Sequence, residues 1–299
     1  TFEEDTDQKL TLENFLDHYR LDPRSIYKFS SFSRLCARAD VTENFEEPIE
    51  NVMTKALSRF ACVDSRRWIA FMLRILTNPG YPDFAKLYIT MWGKAIEDWT
   101  ADEVSENIHA LLNSPTMLSE LIALLRYNYN RIDFIDEPVD LGFDCPLDLH
   151  CSYTREQLLV AMDFMKPSIV REGVKWLPDK NIDVFFITLN KSDKDYSPTT
   201  MYQDYSINET LFHWQSQSTT NAEGKVGQRY INHRKNGSKV LLFVREFKND
   251  IYGNTAPYTY LGTANYVSHN GSRPMNITWK LDDPIPAKYL KKTNKLVVG

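Results

Sequence analysis

The polar loop between residues 190 and 206 carries the residue types that a pocket for a planar ligand requires. Tyr196, Tyr202 and Tyr205 supply flat aromatic faces, and Asp204 supplies a carboxylate that accepts hydrogen bonds. Aromatic faces stack on a heterocyclic ring, and a carboxylate accepts from an exocyclic amine. An apolar, strand-like run precedes the loop and another follows it. The pattern therefore predicts the mouth of a pocket for a nucleobase or a similar ligand.

A second group of polar side chains lies in the strand-like run at 211–217. Because side chains alternate along a strand, Phe212 and Trp214 share one face while Gln215 and Gln217 share the other. Aromatic residues in such a pattern most often belong to the core. The polar face predicts contacts at the edge of the pocket or with DNA.

The segment 225–248 is rich in basic residues. An Asn-Gly pair at Asn236, between two strand-like runs, predicts a hairpin with a basic tip at 232–239. Such a tip could contact phosphates or enter a groove, although a solvated hairpin is the more common fate of these charges. The segment contains Lys225, Arg229, His233, Arg234, Lys235, Lys239, Arg245 and Lys248.

The net charge of −5 hides a difference between the two halves of the chain. Residues 1–150 contain 15 Lys and Arg against 26 Asp and Glu, a net charge of −11. Residues 151–299 contain 20 against 14, a net charge of +6. The asymmetry indicates that the halves have different partners. A basic half with aromatic loops is compatible with binding to a phosphate backbone.

Other kinds of site chemistry find little support in the sequence. Cys145, His150 and Cys151 lie close together, but no second Cys or His pair completes a tetrahedral metal site. The sequence contains no phosphate-binding Gly-rich loop and no Gly-x-Ser-x-Gly turn. Asp193 and Asp195 lie in one loop instead of converging from separate elements. We therefore predict no catalytic residue, no metal and no cofactor, and an intrinsic hydrolase remains the weakest alternative.

The elements that must position these residues change in character along the chain. The first half has the apolar spacing of amphipathic helices, and a later helix begins with the capping-box pair Thr154 and Gln157. Helices are expected at 45–60, 65–76, 82–92, 101–112, 114–125 and 154–162. Strands are expected at 184–189, 211–217, 228–232, 239–247, 258–267 and 275–281. The pattern predicts an α+β fold, with an all-helical part followed by a β-barrel or strongly bent sheet with one or two helices.

Composition limits the setting in which the protein works. No apolar run approaches the ~20 residues that span a bilayer, so no membrane partner is expected. Four scattered cysteines and the lack of a secretory signal favour the cytoplasm. Thr1 in place of Met suggests a fragment of a longer protein or a processed chain.

Several long stretches of the chain resemble a bacterial protein family. Residues 185–206, 211–218, 228–237 and 260–266 are similar to the C-terminal domain, long of unknown function, of superfamily 2 helicase-like proteins. The resemblance extends upstream through 21–27 and 56–60, and thus over essentially the whole chain. Some members of that family are ATP-dependent type IV restriction enzymes, which combine a nuclease, a helicase motor, a helical coupler and a C-terminal DNA-recognition domain.

The resemblance implies a division of the chain and a function. Residues 1–140 would be the helical coupler, and 141–299 would be a domain similar to SET-and-RING-associated (SRA) domains, which are PUA-like β-barrels. Such domains bind DNA that contains 5-methylcytosine or 5-hydroxymethylcytosine. The chain would be the recognition part of a larger enzyme, with double-stranded DNA and the helicase and nuclease domains of the same polypeptide as its partners.

The chemistry of base flipping then assigns roles to individual residues. A flipped base would stack on tyrosines, donate its exocyclic amine to Asp204, and place its methyl group near a small apolar surface. The candidate base-pocket residues are Tyr196, Thr199, Thr200, Tyr202, Asp204, Tyr205 and Trp214. The candidate DNA-backbone residues are Lys191, Lys194, Gln215, Gln217, Arg229, His233, Arg234, Lys235 and Lys239. A module that binds RNA or another modified base is the alternative, because fold alone does not decide function.

Overall fold

The computed structural model describes residues 2–78, 83–93, 100–191 and 204–293. These residues form two compact units. The helical unit runs to Val170 and includes Ile251–Asn254, and the sheet unit contains Arg171–Asp250 and the chain from Thr255 onward. The predicted domain boundary at 140/141 thus lies 30 residues before the point at which the compact units divide.

The helical unit contains ten α-helices and one 3-10 helix among its described residues. Its five longest helices were all predicted, and four of them bury a stripe of residues spaced three and four apart. The elements are α1 Phe2–Thr6, α2 Leu12–Tyr19, α3 Pro23–Tyr27, α4 Phe32–Arg38, α5 Glu50–Phe60, α6 Arg66–Thr77, α7 Phe84–Trp92, α8 Ala101–Leu112, α9 Pro115–Asn130, β1 Ser152–Tyr153, α10 Arg155–Ala161 and a 3-10 helix at Pro167–Ile169. In the described parts of the chain, no single helix is both long and apolar enough to cross a membrane.

Side-chain caps fix where several of these helices begin. The hydroxyl groups of Ser65 and Thr100 each accept a hydrogen bond from a backbone N–H in the first turn of the helix that follows. The predicted capping box of α10 is confirmed, since Thr154 Oγ1 accepts from Gln157 N and Gln157 Oε1 accepts from Thr154 N. Predicted helix 45–60 begins only at Glu50, because Glu47 instead caps α9 through the N–H groups of Thr116 and Met117.

The sheet unit contains β2 to β8, a 3-10 helix and the two remaining α-helices. Its elements are β2 Val174–Leu177, a 3-10 helix at Pro178–Lys180, β3 Ile182–Thr188, β4 Tyr205–Ser206, β5 Leu211–Gln215, α11 Lys225–Ile231, β6 Lys239–Arg245, β7 Tyr258–Asn270, β8 Asn276–Leu281 and α12 Ala287–Thr293. The strand order is β2-β3-β6-β7-β8-β5-β4. β3 and β6 pair in parallel, and all seven residues of β3 are buried, as expected of a central strand with both faces covered.

The predicted α+β class is confirmed, but the sheet does not close into a barrel. Among the described residues, β2 and β4 lie at opposite ends of the sheet and pair with one neighbour each. The β4 strand has only two residues, which leaves too short an edge for a further ladder. The sheet is therefore open and mixed.

One predicted strand is wrong, because residues 228–232 belong largely to helix α11 and the turn that follows it. Gly227, Tyr230 and Ile231 recur at helical spacing, and Tyr230 packs into the core of the sheet unit. The Asn236-Gly pair does form a turn, with Gly237 at φ +66°, but that turn joins a helix to a strand. The predicted basic hairpin tip is thus a basic helix and its C-terminal turn.

The core of the sheet unit is built around Phe185 of β3. Its ring stacks on Trp214 with 4.2 Å between centroids, and it meets Tyr230 and Trp279 edge-on at 5.5 and 5.6 Å. Tyr230 brings α11 onto this face of the sheet, while Ile285 brings in the chain before α12. Packing of aromatic rings against three strands and one helix holds α11 in a fixed position over the sheet.

Candidate nucleic-acid interface

A surface cleft of about 460 Å³ lies beside α11. Its walls combine positive charges, amides and one indole. The lining residues are Trp176 of β2, Lys225, Gln228 and Arg229 of α11, and Asn232, Lys235 and Asn236 of the turn after α11. Spacings of three, four and seven residues place these α11 and turn residues on one side of the helix. We call this feature the α11 cleft.

The charge of the α11 cleft is uniformly positive along its main segment. Residues 224–239 contain five Lys and Arg and no Asp or Glu. The sheet unit as a whole has 18 Lys and Arg against 12 Asp and Glu, a net charge of +6, while the helical unit has 17 against 28, a net of −11. The division into compact units therefore preserves the charge asymmetry found in the sequence.

Arg229 is held rigidly within the cleft by a buried carboxylate. Arg229 Nε and Nη2 donate to Asp183 Oδ2 and Oδ1, both at 2.8 Å, and Asp183 is fully buried in β3. The guanidinium carbon lies 4.4 Å from the centre of the Trp176 ring, within the range of a cation–π contact. Burial acts to lower the pKa of Arg229, but the hydrogen bonds and charge of Asp183 outweigh it and raise that pKa. Arg229 is therefore a fixed cation with part of its charge compensated.

Lys225 and Lys235 are exposed at the rim of the cleft, so their ammonium groups are the more mobile part of its charge. The turn that carries Lys235 is closed by backbone hydrogen bonds from Asn236 N to Asn232 O, 3.0 Å, and from Ser238 N to His233 O, 2.8 Å. The lysine side chains at the rim can therefore adapt to a phosphate while the turn that carries Lys235 stays in place.

Arg234 and Lys239, also predicted to contact a DNA backbone, do not line the cleft. Arg234 is exposed, and its Nε donates to Asn265 Oδ1 at 3.0 Å. Lys239 is the first residue of β6, in register with Ile182 of β3, and is half-buried. Both add positive charge to the same unit without shaping the cleft.

His233 is misassigned as a surface contact, because the structure buries it to 2% exposure. Its Nε2 accepts from the Tyr266 backbone N–H at 3.0 Å, so the ring proton lies on Nδ1, which faces Ser238 O at 3.1 Å. Burial lowers the pKa of His233. Both ring nitrogens serve to fix the turn against β7, which leaves neither of them for a phosphate.

Asp204, the predicted acceptor for a base, is buried and engaged with two protein donors. Its Oδ1 accepts from Gln215 N at 2.9 Å and its Oδ2 lies 3.3 Å from Lys191 Nζ. Burial raises the pKa of Asp204, and the charge of Lys191 offsets part of that rise. The Asp204 carboxylate therefore links Lys191, which precedes the loop, to Gln215 of β5, which follows it. This anchoring role also accounts for Lys191, which was predicted to contact a DNA backbone.

The remaining candidates for the base pocket and the DNA backbone include surface residues, a core residue and residues outside the described ranges. Tyr205 stacks on His213 with 4.7 Å between ring centroids and 14° between planes. Trp214 is 5% exposed and stacks on Phe185, so its predicted contact with a base is replaced by a core role. Gln217 Nε2 donates to Glu172 Oε2 at 2.8 Å. The candidates Lys194, Tyr196, Thr199, Thr200 and Tyr202 lie outside the described residues.

Some residues of the α11 cleft were not predicted as site residues. Trp176, Gln228, Asn232 and Asn236 carry no local signal in the sequence once 228–232 is taken as a strand. A helical reading of 225–236 would have placed Lys225, Gln228 and Arg229 on one face. In the described parts of the chain, no group of three or more His, Cys, Asp and Glu residues could hold a metal ion.

The cleft, its buried ion pair and the whole sheet from β2 to β8 fall within one matched segment. Residues 147–292 match a domain of unknown function, DUF3427. No curated protein matches the chain. The DUF3427 match begins 24 residues before the sheet unit and thus also takes in α10. The α11 cleft consequently lies within the segment that matches DUF3427, here called the DUF3427 region, and its chemistry bears on what that region does.

Proposed function

We propose that the DUF3427 region binds double-stranded DNA containing 5-methylcytosine or 5-hydroxymethylcytosine, with the α11 cleft contacting the sugar-phosphate backbone. The observation that carries the proposal is the acid-free segment 224–239, folded so that Lys225, Arg229 and Lys235 line one concave surface. Lysine and arginine side chains on one face release counterions from a phosphate backbone, which is the main source of affinity for nucleic acid.

Recognition of the modified base is assigned to the loop before Asp204 and to the residues that anchor the end of that loop. The resemblance to SRA-like domains supports this part, as does the stacked pair of Tyr205 and His213 beside the buried Asp204. A flipped base needs a rigid frame around its pocket, because a mobile frame would lose the small free energy that distinguishes one methyl group.

The helical unit is proposed to couple recognition to the helicase and nuclease domains of a type IV restriction enzyme. The support is the resemblance of the whole chain, together with the net charge of −11 on this unit. An acidic surface repels DNA, so this unit suits contacts with protein domains better than contacts with a phosphate backbone.

Anisotropy with labelled duplexes of one sequence, either unmodified, methylated or hydroxymethylated at cytosine, tests base recognition. One modified form is expected to bind the full chain about 5- to 100-fold more tightly than the unmodified duplex, the range that a single methyl group allows. Equal affinity for all three duplexes contradicts the proposed recognition of modified cytosine. A preference for single-stranded RNA of the same sequence would favour the RNA-binding alternative.

The salt dependence of binding tests the role of the cleft. A variant with Lys225→Gln and Lys235→Gln is expected to lower the slope of log affinity against log salt by about 2 while it leaves base preference intact. Lys55→Gln, at an exposed position of α5 in the helical unit, is the matched control for loss of a charge. An unchanged slope in the double variant would place the backbone contact elsewhere.

A further inference from the structure

We infer that the α11 cleft holds one unpaired nucleotide whose base carries an exocyclic amino group, with Asn232 Oδ1 as the acceptor for that group. The inference rests on the proposed function, since it assigns a second nucleotide contact to a nucleic-acid-binding domain. It concerns residues other than those assigned to the modified cytosine.

A chain of amide hydrogen bonds fixes the orientation of Asn232. Gln228 Nε2 donates to Ala222 O at 2.9 Å, which leaves Gln228 Oε1 as an acceptor. Asn232 Nδ2 donates to that Oε1 at 3.0 Å and to Gln228 O at 3.1 Å. Both hydrogens of the Asn232 amide are thereby used. The polarity of the chain starts at a backbone carbonyl, and turning both amides over would keep the bond between them but lose the bonds to Ala222 O and Gln228 O.

The group that Asn232 retains for a ligand is therefore an acceptor. Among the described residues, Asn232 Oδ1 has no hydrogen-bond donor in the structure, and Asn232 lines the cleft. An amide oxygen among Lys225, Arg229 and Lys235 would repel a phosphate oxygen but would accept from an N–H. Adenine and cytosine present such a donor in their exocyclic amino groups, whereas thymine and uracil present a carbonyl at the same position.

The other walls of the cleft suit the remaining parts of a nucleotide. The exposed ammonium groups of Lys225 and Lys235 can bind its phosphate. The indole of Trp176, with Arg229 fixed beside it, offers an aromatic and guanidinium surface for a base. A volume of about 460 Å³ lies in the range of small-molecule sites. A site of this size can hold one base, and an unpaired base keeps both hydrogens of its amino group available to Asn232 Oδ1.

Binding of short single strands to the full chain tests the inference. The probes are labelled oligonucleotides of about eight residues, one of adenine and one of purine deoxyribonucleoside, which lacks only the 6-amino group. The adenine strand is expected to bind on the order of fivefold more tightly, the effect of one hydrogen bond that is partly open to water. Adenine is chosen because the other pocket is proposed to recognise modified cytosine.

Two variants identify the acceptor. Asn232→Leu removes Oδ1 and is expected to abolish the preference for adenine while the purine strand still binds as before. Because Asn232 also ends α11, Gln228→Leu provides a second variant: it frees one Nδ2 hydrogen of Asn232, so the amide can present a donor and the preference should fall. Far-ultraviolet circular dichroism and melting temperature check that both variants are folded.

The outcomes separate this inference from the proposed function. Equal affinity of the wild-type chain for both strands, or an adenine preference that survives in folded Asn232→Leu, overturns the inference. If the duplex with modified cytosine is still preferred in that case, the proposed function stands. If the wild-type chain binds neither the single strands nor the duplexes, both the inference and the proposed function are overturned.

Discussion

Replacing Asp183 with leucine should destabilise the sheet unit strongly, although the residue lies within an apolar strand. Asp183 has no exposed side-chain surface, and its partner Arg229 retains 18%. The substitution leaves a guanidinium that has lost two charge-assisted hydrogen bonds of 2.8 Å and still cannot become neutral. Removing one partner of a buried pair costs about 3 to 5 kcal/mol. Since Arg229 keeps some water and its contact with Trp176, we expect about 3 kcal/mol.

A double-mutant cycle separates the ion pair from packing. Asp183→Leu, Arg229→Met and the double variant are compared by urea unfolding, with native-state hydrogen exchange at β3 and β6 amides to report on the sheet unit alone. The single Asp183→Leu variant should lower the urea midpoint by about 1 to 2 M. The double variant should recover most of that loss, because an apolar pair of similar volume needs no compensating charge.

The cycle can contradict the reasoning in two ways. A loss below about 1 kcal/mol for Asp183→Leu would mean that the pair is screened as a surface salt bridge is. A double variant no more stable than Asp183→Leu would mean that Arg229 is not strained by the loss of its partner, and that the damage comes from leucine at position 183. Either result would remove the reason for treating Arg229 as a fixed part of the cleft.

Three further predictions concern the elements that position the cleft and the helical unit. Gly227→Ala should displace α11 and weaken nucleic-acid binding, because an added Cβ would lie 2.2 Å from Asn221 O. The clash should cost about 1 to 3 kcal/mol, more than the gain of up to about 1 kcal/mol in helix propensity. Thermal melting measures the loss of stability, and anisotropy measures the loss of binding. Because the pKa of His233 is lowered in the folded chain, the unfolded chain binds a proton first as pH falls below about 6.5. The thermal stability of the sheet unit should therefore decrease from pH 7 to about 5.5, and His233→Gln should flatten that dependence. Thr154→Ala should cost the helical unit about 1 kcal/mol in urea unfolding. Gln157→Leu should cost more, because it also removes the bond from Gln157 Nε2 to Arg59 O; equal costs would mean that this bond adds no stability.

The helical half of the chain was predictable because its signals are local. Apolar spacing, a proline at the start of α9 and the Thr154/Gln157 pair all act within one or two turns, and the structure confirms them. The end strands of the sheet were harder to predict. β4 has two residues and β2 has four, too few for an alternation to be visible. Barrel closure depends on which strands pair at the edges, and that information is not local.

The error at 228–232 has a physical cause. Tyr230 and Ile231 have β-forming side chains, but propensity is weaker than burial against a sheet. What fixes α11 as a helix is the approach of Gly227 to residues 221–222 and the contact of Tyr230 with Phe185. Phe185 is far from α11 in the sequence, and residues 221–222 carry no pattern that announces a close approach to Gly227. Asp183 did carry a signal, since a lone acid in an apolar run needs a buried cation, but the sequence could not say which one.

The α11 cleft separates two properties that are often carried by the same side chains. Lys225 and Lys235 are exposed on flexible stems, so their contribution to binding should be electrostatic, screened by salt and indifferent to the base. Arg229 and Asn232 are held in place by Asp183 and by the amide chain from Gln228, so their contribution should depend on geometry and on the identity of the base. Changes at the lysines should therefore alter affinity equally for every sequence, whereas changes at Asn232 should alter preference with little effect on the salt slope. If both kinds of variant shifted affinity and preference together, the cleft would be acting as a single electrostatic surface, and the buried network beneath it would serve stability alone.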